Sequence, residues 1–153
     1  GLGDVYKRQI HGNGNIWYIF MNEIEQLINI ALENKKNSYS PYSHFRVSCA
    51  VKTGTGSIYK GVNIENAAYS PCICAERSAM SAAISAGEIE FTHIVINGDS
   101  HDTFPCGVCR QFIREFADKN TQIVIANAVD DYRIFTIDEL LPHSFSNEDL
   151  KEI

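Results

Sequence analysis

Cys74-Ala75-Glu76 and, about thirty residues later, Pro105-Cys106-Gly107-Val108-Cys109 are the two stretches on which the reading of this chain turns. Together they offer three thiolates to one zinc ion and one carboxylate beside it. Three protein ligands leave a tetrahedral zinc with an open fourth position, which separates catalytic from closed structural sites. Water bound at that position has its pKa lowered towards about 7, so hydroxide is available at neutral pH. Glu76, two residues past the first thiolate, is close enough to handle that water's protons.

Both motifs are expected to open helices. Cys74 begins a small-residue run, Ala75, Ala79, Ala82 and Ala83, that packs closely and is capped by Gly87. Cys106 begins a second run with Val108, Phe112, Ile113 and Phe116 on one face. Helix N-termini carry partial positive charge and free N–H groups, which are expected to lower the thiolate pKa values and hydrogen-bond the sulfurs. The i, i+3 spacing of Cys106 and Cys109 puts both on one side of the first turn. Three thiolates on Zn²⁺ leave a formal charge of −1, which weakens its Lewis acidity. Arg77 directly follows Glu76, and hydrogen bonds from it to the sulfurs would withdraw charge.

Outward from these motifs, Asn22 opens a helix with Ile24, Leu27, Ile28, Ala31 and Leu32 at helical spacing. Tyr39-Ser40-Pro41-Tyr42-Ser43 breaks it into a loop. Val47 to Lys52 and Ile58 to Val62 form a hairpin about Thr53-Gly54-Thr55-Gly56. A loop runs from Asn63 to Ile73. Phe91 to Ile96, Gln122 to Ala126 and Arg133 to Thr136 read as strands, and Ile137 to Leu141 as a helical turn before an irregular tail. The order α-β-β-α-β-α-β-β predicts an α/β fold: a three-layer α-β-α arrangement with a mixed five-stranded sheet and helices on both faces.

A chain of 153 residues with 44% hydrophobic residues suits one domain with a real core. Residues 1–20 are expected to be a non-native or disordered extension, with Met21 a natural start and 21–153 the single domain. Lys7 and Arg8 ahead of Ile16 to Phe20 imitate a signal peptide, but that run is too short and too interrupted. Net charge is −6 and no basic stripe stands out, so the substrate is expected to be a small molecule and not a nucleic acid polymer. No stretch approaches the roughly 20 apolar residues that span a bilayer. Five cysteines without a secretion signal suit zinc and buried thiols in a reducing cytoplasm better than disulfides.

From about Ile24 to Leu150 the chain resembles the small, homotetrameric, zinc-dependent cytidine deaminases. The resemblance is carried by Tyr39-Ser40-Pro41-Tyr42-Ser43-His44-Phe45, Asn63-Ile64-Glu65-Asn66-Ala67-Ala68-Tyr69, the two cysteine motifs with Arg77, Arg110 and Gln111, and the tail residues Leu140-Leu141-Pro142, Phe145 and Glu148-Asp149-Leu150. It implies one zinc per subunit on Cys74, Cys106 and Cys109, with Glu76 as proton shuttle. It implies Phe45 against the pyrimidine ring and Asn63 and Glu65 on the ribose 3′-hydroxyl. Backbone groups around Ala75 and Cys106 would help to hold the base, and Tyr69 and Phe145 would act near subunit contacts in shared active sites. The implied reaction is deamination of cytidine and deoxycytidine, a step of pyrimidine salvage.

Plainer readings stand beside each assignment. The cysteines also suit a structural zinc knuckle or a redox pair at 106 and 109, and Cys72 is the one obvious fourth ligand for a closed site. Asn63 and Glu65 also suit a solvated strand end, Phe45 the core, and Phe145 an exposed aromatic. The chain departs from the family at Ser48-Cys49-Ala50, Cys72 and His143; Cys49 is read as a buried thiol and Cys72 as a spectator. Rival functions are deamination of a modified pyrimidine nucleoside, as in the blasticidin deaminases, action on polynucleotides, or a zinc-stabilised binding module without activity.

Overall fold

Asn22 starts the first helix because its side chain accepts the Glu25 N–H at 2.9 Å, while Glu25 returns the bond to the Asn22 N–H at 3.1 Å. This reciprocal box satisfies two donors that a helix start otherwise leaves open. The computed structural model describes residues 21–151; the expected extension over 1–20 lies outside them. Helix α1 (Glu23–Asn34) runs into a 3₁₀ turn, Lys35–Asn37. Strands β1 (Val47–Thr53) and β2 (Ile58–Val62) follow, then α2 (Ala75–Ser85), β3 (Phe91–Gly98), α3 (Gly107–Phe116), β4 (Gln122–Ala128), β5 (Asp131–Phe135) and the short α4 (Ile137–Leu140).

The element order is the one read from the sequence, with two differences near the C-terminus. β5 ends at Phe135 because Thr136 caps α4, its hydroxyl accepting the Glu139 N–H. The tail is not wholly irregular: Ser146 caps a 3₁₀ turn over Asn147–Leu150.

The sheet order is β2-β1-β3-β4-β5, with β3 and β4 parallel and the other pairs antiparallel. Alternate residues of each central strand feed opposite layers. Ala50, Val95, Val124 and Ala126 pack against Leu27, Ile28 and Ala31 of α1. Their neighbours Cys49, Val51, Ile94, Ile96, Ile123 and Ile125 pack against Ala75, Ala79, Met80, Ala83 and Ile113 of α2 and α3. The result is the expected three-layer sandwich. Cys49 is fully buried, and burial raises its thiol pKa well above the usual value.

One expected packing residue lies elsewhere. The sequence puts Val108 on the apolar face of α3, yet it is 62% exposed, whereas Cys109 and Ile113 are buried. Val108 precedes Cys109 by one residue, about 100° round the helix, which turns it away from the sheet.

Two contacts fix the loops that lead to the cysteines. Asp99, just past β3, receives the Arg46 N–H at 2.8 Å and the Arg46 guanidinium through both oxygens at 3.0 Å, with Lys35 at 3.3 Å. The Arg46 hydrogen bond leads in holding its carboxyl down at about 2. On the other side, α2 lies directly on β2. A Cβ on Gly61 would come within 2.3 Å of Ala79 N and 2.7 Å of Ala75 O, both main-chain atoms that cannot step aside. Gly61 therefore sets how closely the helix that carries Glu76 approaches the sheet.

Gly61→Ala is expected to destabilise the fold by about 1–3 kcal/mol, the usual range for overpacking. Gly54→Ala is the control, because its Cβ would meet only the Glu90 side chain, the movable Oε2 at 3.0 Å and Cβ at 3.3 Å, and no main-chain atom. Denaturant melts of both variants check this; equal midpoints would mean that α2 gives way freely.

Candidate active site

Cys74 is the N-cap of α2 and Cys106 the N-cap of α3, with Cys109 one turn into α3. Both helices cover the same face of the sheet, so their starts meet. The three Sγ atoms lie within 4.8 Å of one another, and Cys74 Sγ is 3.8 Å from Cys106 Sγ. Two thiolates on a tetrahedral zinc, each about 2.3 Å from the ion, stand about 3.8 Å apart. The donor set and its spacing therefore fit zinc. Cys109 is buried, Cys74 half-buried and Cys106 exposed, which leaves one side of the cluster open.

The electrostatics point the same way. Hydrogen bonding from Cys109, with help from Arg77, pulls the Cys74 thiol down to about 5, while the same contact and burial push Cys109 up. The Cys74 thiolate thus opposes ionisation of Cys109, and a cation among the sulfurs would offset that opposition. Arg77 Nη2 donates to Cys74 Sγ at 3.6 Å, so Arg77 lies where a donor to the sulfurs is required. The sequence reading is corrected in one respect. Neither N-cap sulfur accepts a hydrogen bond from its own helix. Both turn towards the other cysteines, so the helix starts act through their field and not through direct N–H···S bonds.

Cys72 stays apart from the cluster. Its Sγ accepts the Asn66 N–H at 3.2 Å and lies 3.8 Å from Asn66 O, bracing the 66–72 loop. A closed four-sulfur knuckle loses its fourth ligand by this placement.

Glu76 is in the first turn of α2 and only 4% exposed. Burial pushes its carboxyl up to about 7, and the Cys74 charge adds to the effect. A dication among the sulfurs opposes that shift. A buried carboxyl beside a metal site is suited to take up and return protons. Ala75, beside it, is fully buried under β2.

A cleft of about 410 Å³ reaches the edge of this cluster at Cys74; Glu76, Cys106 and Cys109 do not line it. Asn63, Glu65 and Tyr69 line it as well, along with Tyr42 and Ser43. Asn63 is already a brace: its Oδ1 accepts Val47 N–H at 2.9 Å and the Ser38 hydroxyl, and its Nδ2 donates to Phe45 O at 2.8 Å. One amide hydrogen remains free for a ligand. Glu65 accepts the N–H groups of Tyr42 and Ser43, each at 3.0 Å, and the Ser43 hydroxyl. Tyr69 holds φ 59°, a left-handed conformation rare for a bulky residue, and meets Tyr42 edge-to-face with ring centroids 6.2 Å apart. The Asn66 side chain supports that bend by accepting Ala68 N–H at 2.9 Å.

Phe45 and Phe145 are not in the cleft wall. Phe45, two residues before β1, is 37% exposed. Phe145 is 62% exposed on the outside of α3, its main-chain oxygen accepting from Gln111 Nε2 at 3.0 Å. Sequence reasoning gave no role of their own to Tyr42 and Ser43. Both stood in the loop motif, but a main-chain N–H aimed at a carboxylate has no sequence signature.

Cys106→Ala and Cys109→Ala are each expected to purify without zinc, whereas Cys72→Ser keeps about one zinc per chain. Metal analysis of the purified variants decides it; zinc loss in Cys72→Ser would restore a closed structural site.

The family described as the cytidine and deoxycytidylate deaminase zinc-binding region matches residues 21–125. The "Probable cytidine deaminase" of Dictyostelium discoideum is 42% identical over 130 residues, covering 84% of this chain and 87% of that protein. The cytidine deaminase of Sporosarcina psychrophila is 40% identical over 129 residues, covering 84% and 95%. The crystal structure of cytidine deaminase from Burkholderia pseudomallei superposes with a TM-score of 0.76 at 37% identity, covering 82% of this chain and all of that one. With its three sulfurs gathered at two helix starts and a buried glutamate beside them, the chain belongs to the zinc-dependent cytidine deaminases.

Proposed function

We propose that this chain catalyses the hydrolytic deamination of cytidine and deoxycytidine to uridine and deoxyuridine, releasing ammonia, as a step of pyrimidine salvage. The observation that carries the reading is the three-sulfur cluster with Glu76 buried two residues from Cys74, reached by a cleft of nucleoside size. Zinc held by Cys74, Cys106 and Cys109 supplies a Lewis acid that lowers the pKa of water. Glu76 does the proton work. It takes a proton from the attacking water and passes it to N3 of the base, which makes C4 electrophilic. The water oxygen bonds to C4; Glu76 then takes the second proton from this new C4 hydroxyl and delivers it to the amino group, so that ammonia leaves as the C4–N4 bond breaks and the C4–O bond becomes the carbonyl of uridine. One carboxylate serves as base and acid because each delivery regenerates it. Arg77 tempers the negative charge of the three thiolates.

Asn63 and Glu65 bind the ribose 3′-hydroxyl, the first with its free amide hydrogen and the second with its carboxylate. Ala75 and the main chain around it hold the base, and Phe45 lies against the ring. The assembly is a homotetramer with shared active sites. The exposure of Tyr69, Val108 and Phe145, at 72%, 62% and 62%, supports it, since large apolar groups this open suit contact with another subunit. The location is cytoplasmic. Five free cysteines support this, since three are committed to a metal and thiols persist in a reducing compartment. Among the described residues no helix is long and apolar enough to cross a membrane.

Glu76→Gln keeps one zinc per chain and loses at least about 10²–10⁴-fold in turnover, the range of a positioned acid–base group. Ultraviolet absorbance of cytidine together with metal analysis tests this. More than about a tenth of the wild-type rate with full zinc content would remove Glu76 from the proton path.

Phe145→Ala raises the Michaelis constant and leaves zinc content unchanged. Its ring contact is worth about 0.5–1.5 kcal/mol beyond the area it buries. Mixed oligomers of Phe145→Ala and Glu76→Gln chains regain activity, because a subunit with intact Glu76 borrows Phe145 from its neighbour. Absence of rescue in verified mixed oligomers would place Phe145 outside the shared site.

A further inference from the structure

The cleft carries a carboxylate whose capacity to accept hydrogen bonds is almost consumed by the protein itself. Glu65 Oε1 accepts both the Tyr42 and the Ser43 N–H, each at 3.0 Å, which fills its two lone pairs. Oε2 accepts the Ser43 hydroxyl and keeps one lone pair. The same hydroxyl oxygen accepts the Phe45 N–H at 3.1 Å. Ser43 is exposed and makes no contribution to the core, yet it alone holds Glu65 through two groups, main chain and side chain.

We propose that Ser43 is a positioning residue for sugar recognition: its hydroxyl orients the Glu65 carboxylate so that one Oε2 lone pair faces the cleft and accepts one ribose hydroxyl. The proposal rests on the reading of Glu65 as the 3′-hydroxyl contact. Geometry makes the hydroxyl necessary. The two N–H groups anchor Oε1 only, and the carboxylate can still pivot about that atom through concerted changes of the side-chain torsions, which moves Oε2. The Ser43 oxygen, itself fixed by the Phe45 N–H, stops that swing. It also leads in holding the Glu65 carboxyl below its ordinary range, which keeps the acceptor charged. A carboxylate with one free lone pair accepts one hydroxyl, so the 2′-hydroxyl is left unread by this group.

The test is steady-state kinetics of the zinc-loaded enzyme on cytidine, deoxycytidine and 3′-deoxycytidine. The chains compared are the wild type, Ser43→Ala, Ser43→Thr, Glu65→Ala and the Ser43→Ala/Glu65→Ala double variant. Loss of one charge-assisted bond should raise the Michaelis constant of Ser43→Ala about 5- to 20-fold on cytidine and equally on deoxycytidine, with kcat held within about twofold. On 3′-deoxycytidine Ser43→Ala should match the wild type. Ser43→Thr should restore most of the loss, and Ser43→Ala should add nothing in the Glu65→Ala background. Suppose that Glu65→Ala weakens cytidine selectively while Ser43→Ala acts on all three nucleosides alike, acts on kcat, or does nothing; Ser43 then does not position the carboxylate. If Glu65→Ala itself treats cytidine and 3′-deoxycytidine alike, the sugar reading of Glu65 falls and the Ser43 proposal falls with it.

Discussion

Three sulfurs brought within 4.8 Å of one another at two helix starts make one metal-sized cluster, and the rest of the site depends on that meeting. The pull on Cys74 and the opposite push on Cys109 are two sides of one hydrogen bond between them, and burial adds to the push. A zinc ion would take the place of the shared proton, and the partial positive charge at the N-termini of α2 and α3 favours the ionised sulfurs that zinc requires. The architecture serves this meeting point. The parallel pairing of β3 and β4 makes α3 a crossover helix, and the hairpin β1–β2 feeds α2 onto the same face. Gly61 then lets α2 settle against β2 at main-chain contact distance.

Two glutamates of the site show how environment divides labour. Glu76 is buried beside thiols, and its burial favours the neutral form, so protonation there is easily exchanged. Glu65 is half-buried in the cleft wall and is ringed by donors from residues 42 and 43, which favour the charged form. A group that must pass protons and a group that must stay an acceptor need these opposite surroundings. The chain separates them by placing one inside a helix and the other on a loop.

The loops of the cleft are held by short side chains acting on main chain. Asn63 ties Ser38, Phe45 and Val47 together, Cys72 braces Asn66, and Asn66 supports the left-handed turn at Tyr69. A strained φ at an exposed tyrosine persists only because its surroundings over-determine it. These bonds shape the cleft before any ligand arrives, so less ordering is left for binding to supply.

Spacing and residue type in the sequence were enough for the metal chemistry: a cysteine followed at once by Ala-Glu, and a later Cys-x-x-Cys, define a three-sulfur set whichever way the sheet is ordered. Alternating and helical periodicities were enough for the element order and the layered architecture, because burial on a sheet face or helix stripe repeats at fixed intervals. Tertiary structure decided what no interval records. It put Val108 in solvent and turned the N-cap sulfurs towards each other. It set Cys72 aside from the cluster, engaged most of the Asn63 side chain within the protein, and left Glu65 with one free lone pair. Each of these depends on the direction of a side chain or a main-chain N–H in three dimensions. Sequence states which groups are present and how far apart they lie along the chain, whereas direction is settled only when distant segments pack against one another.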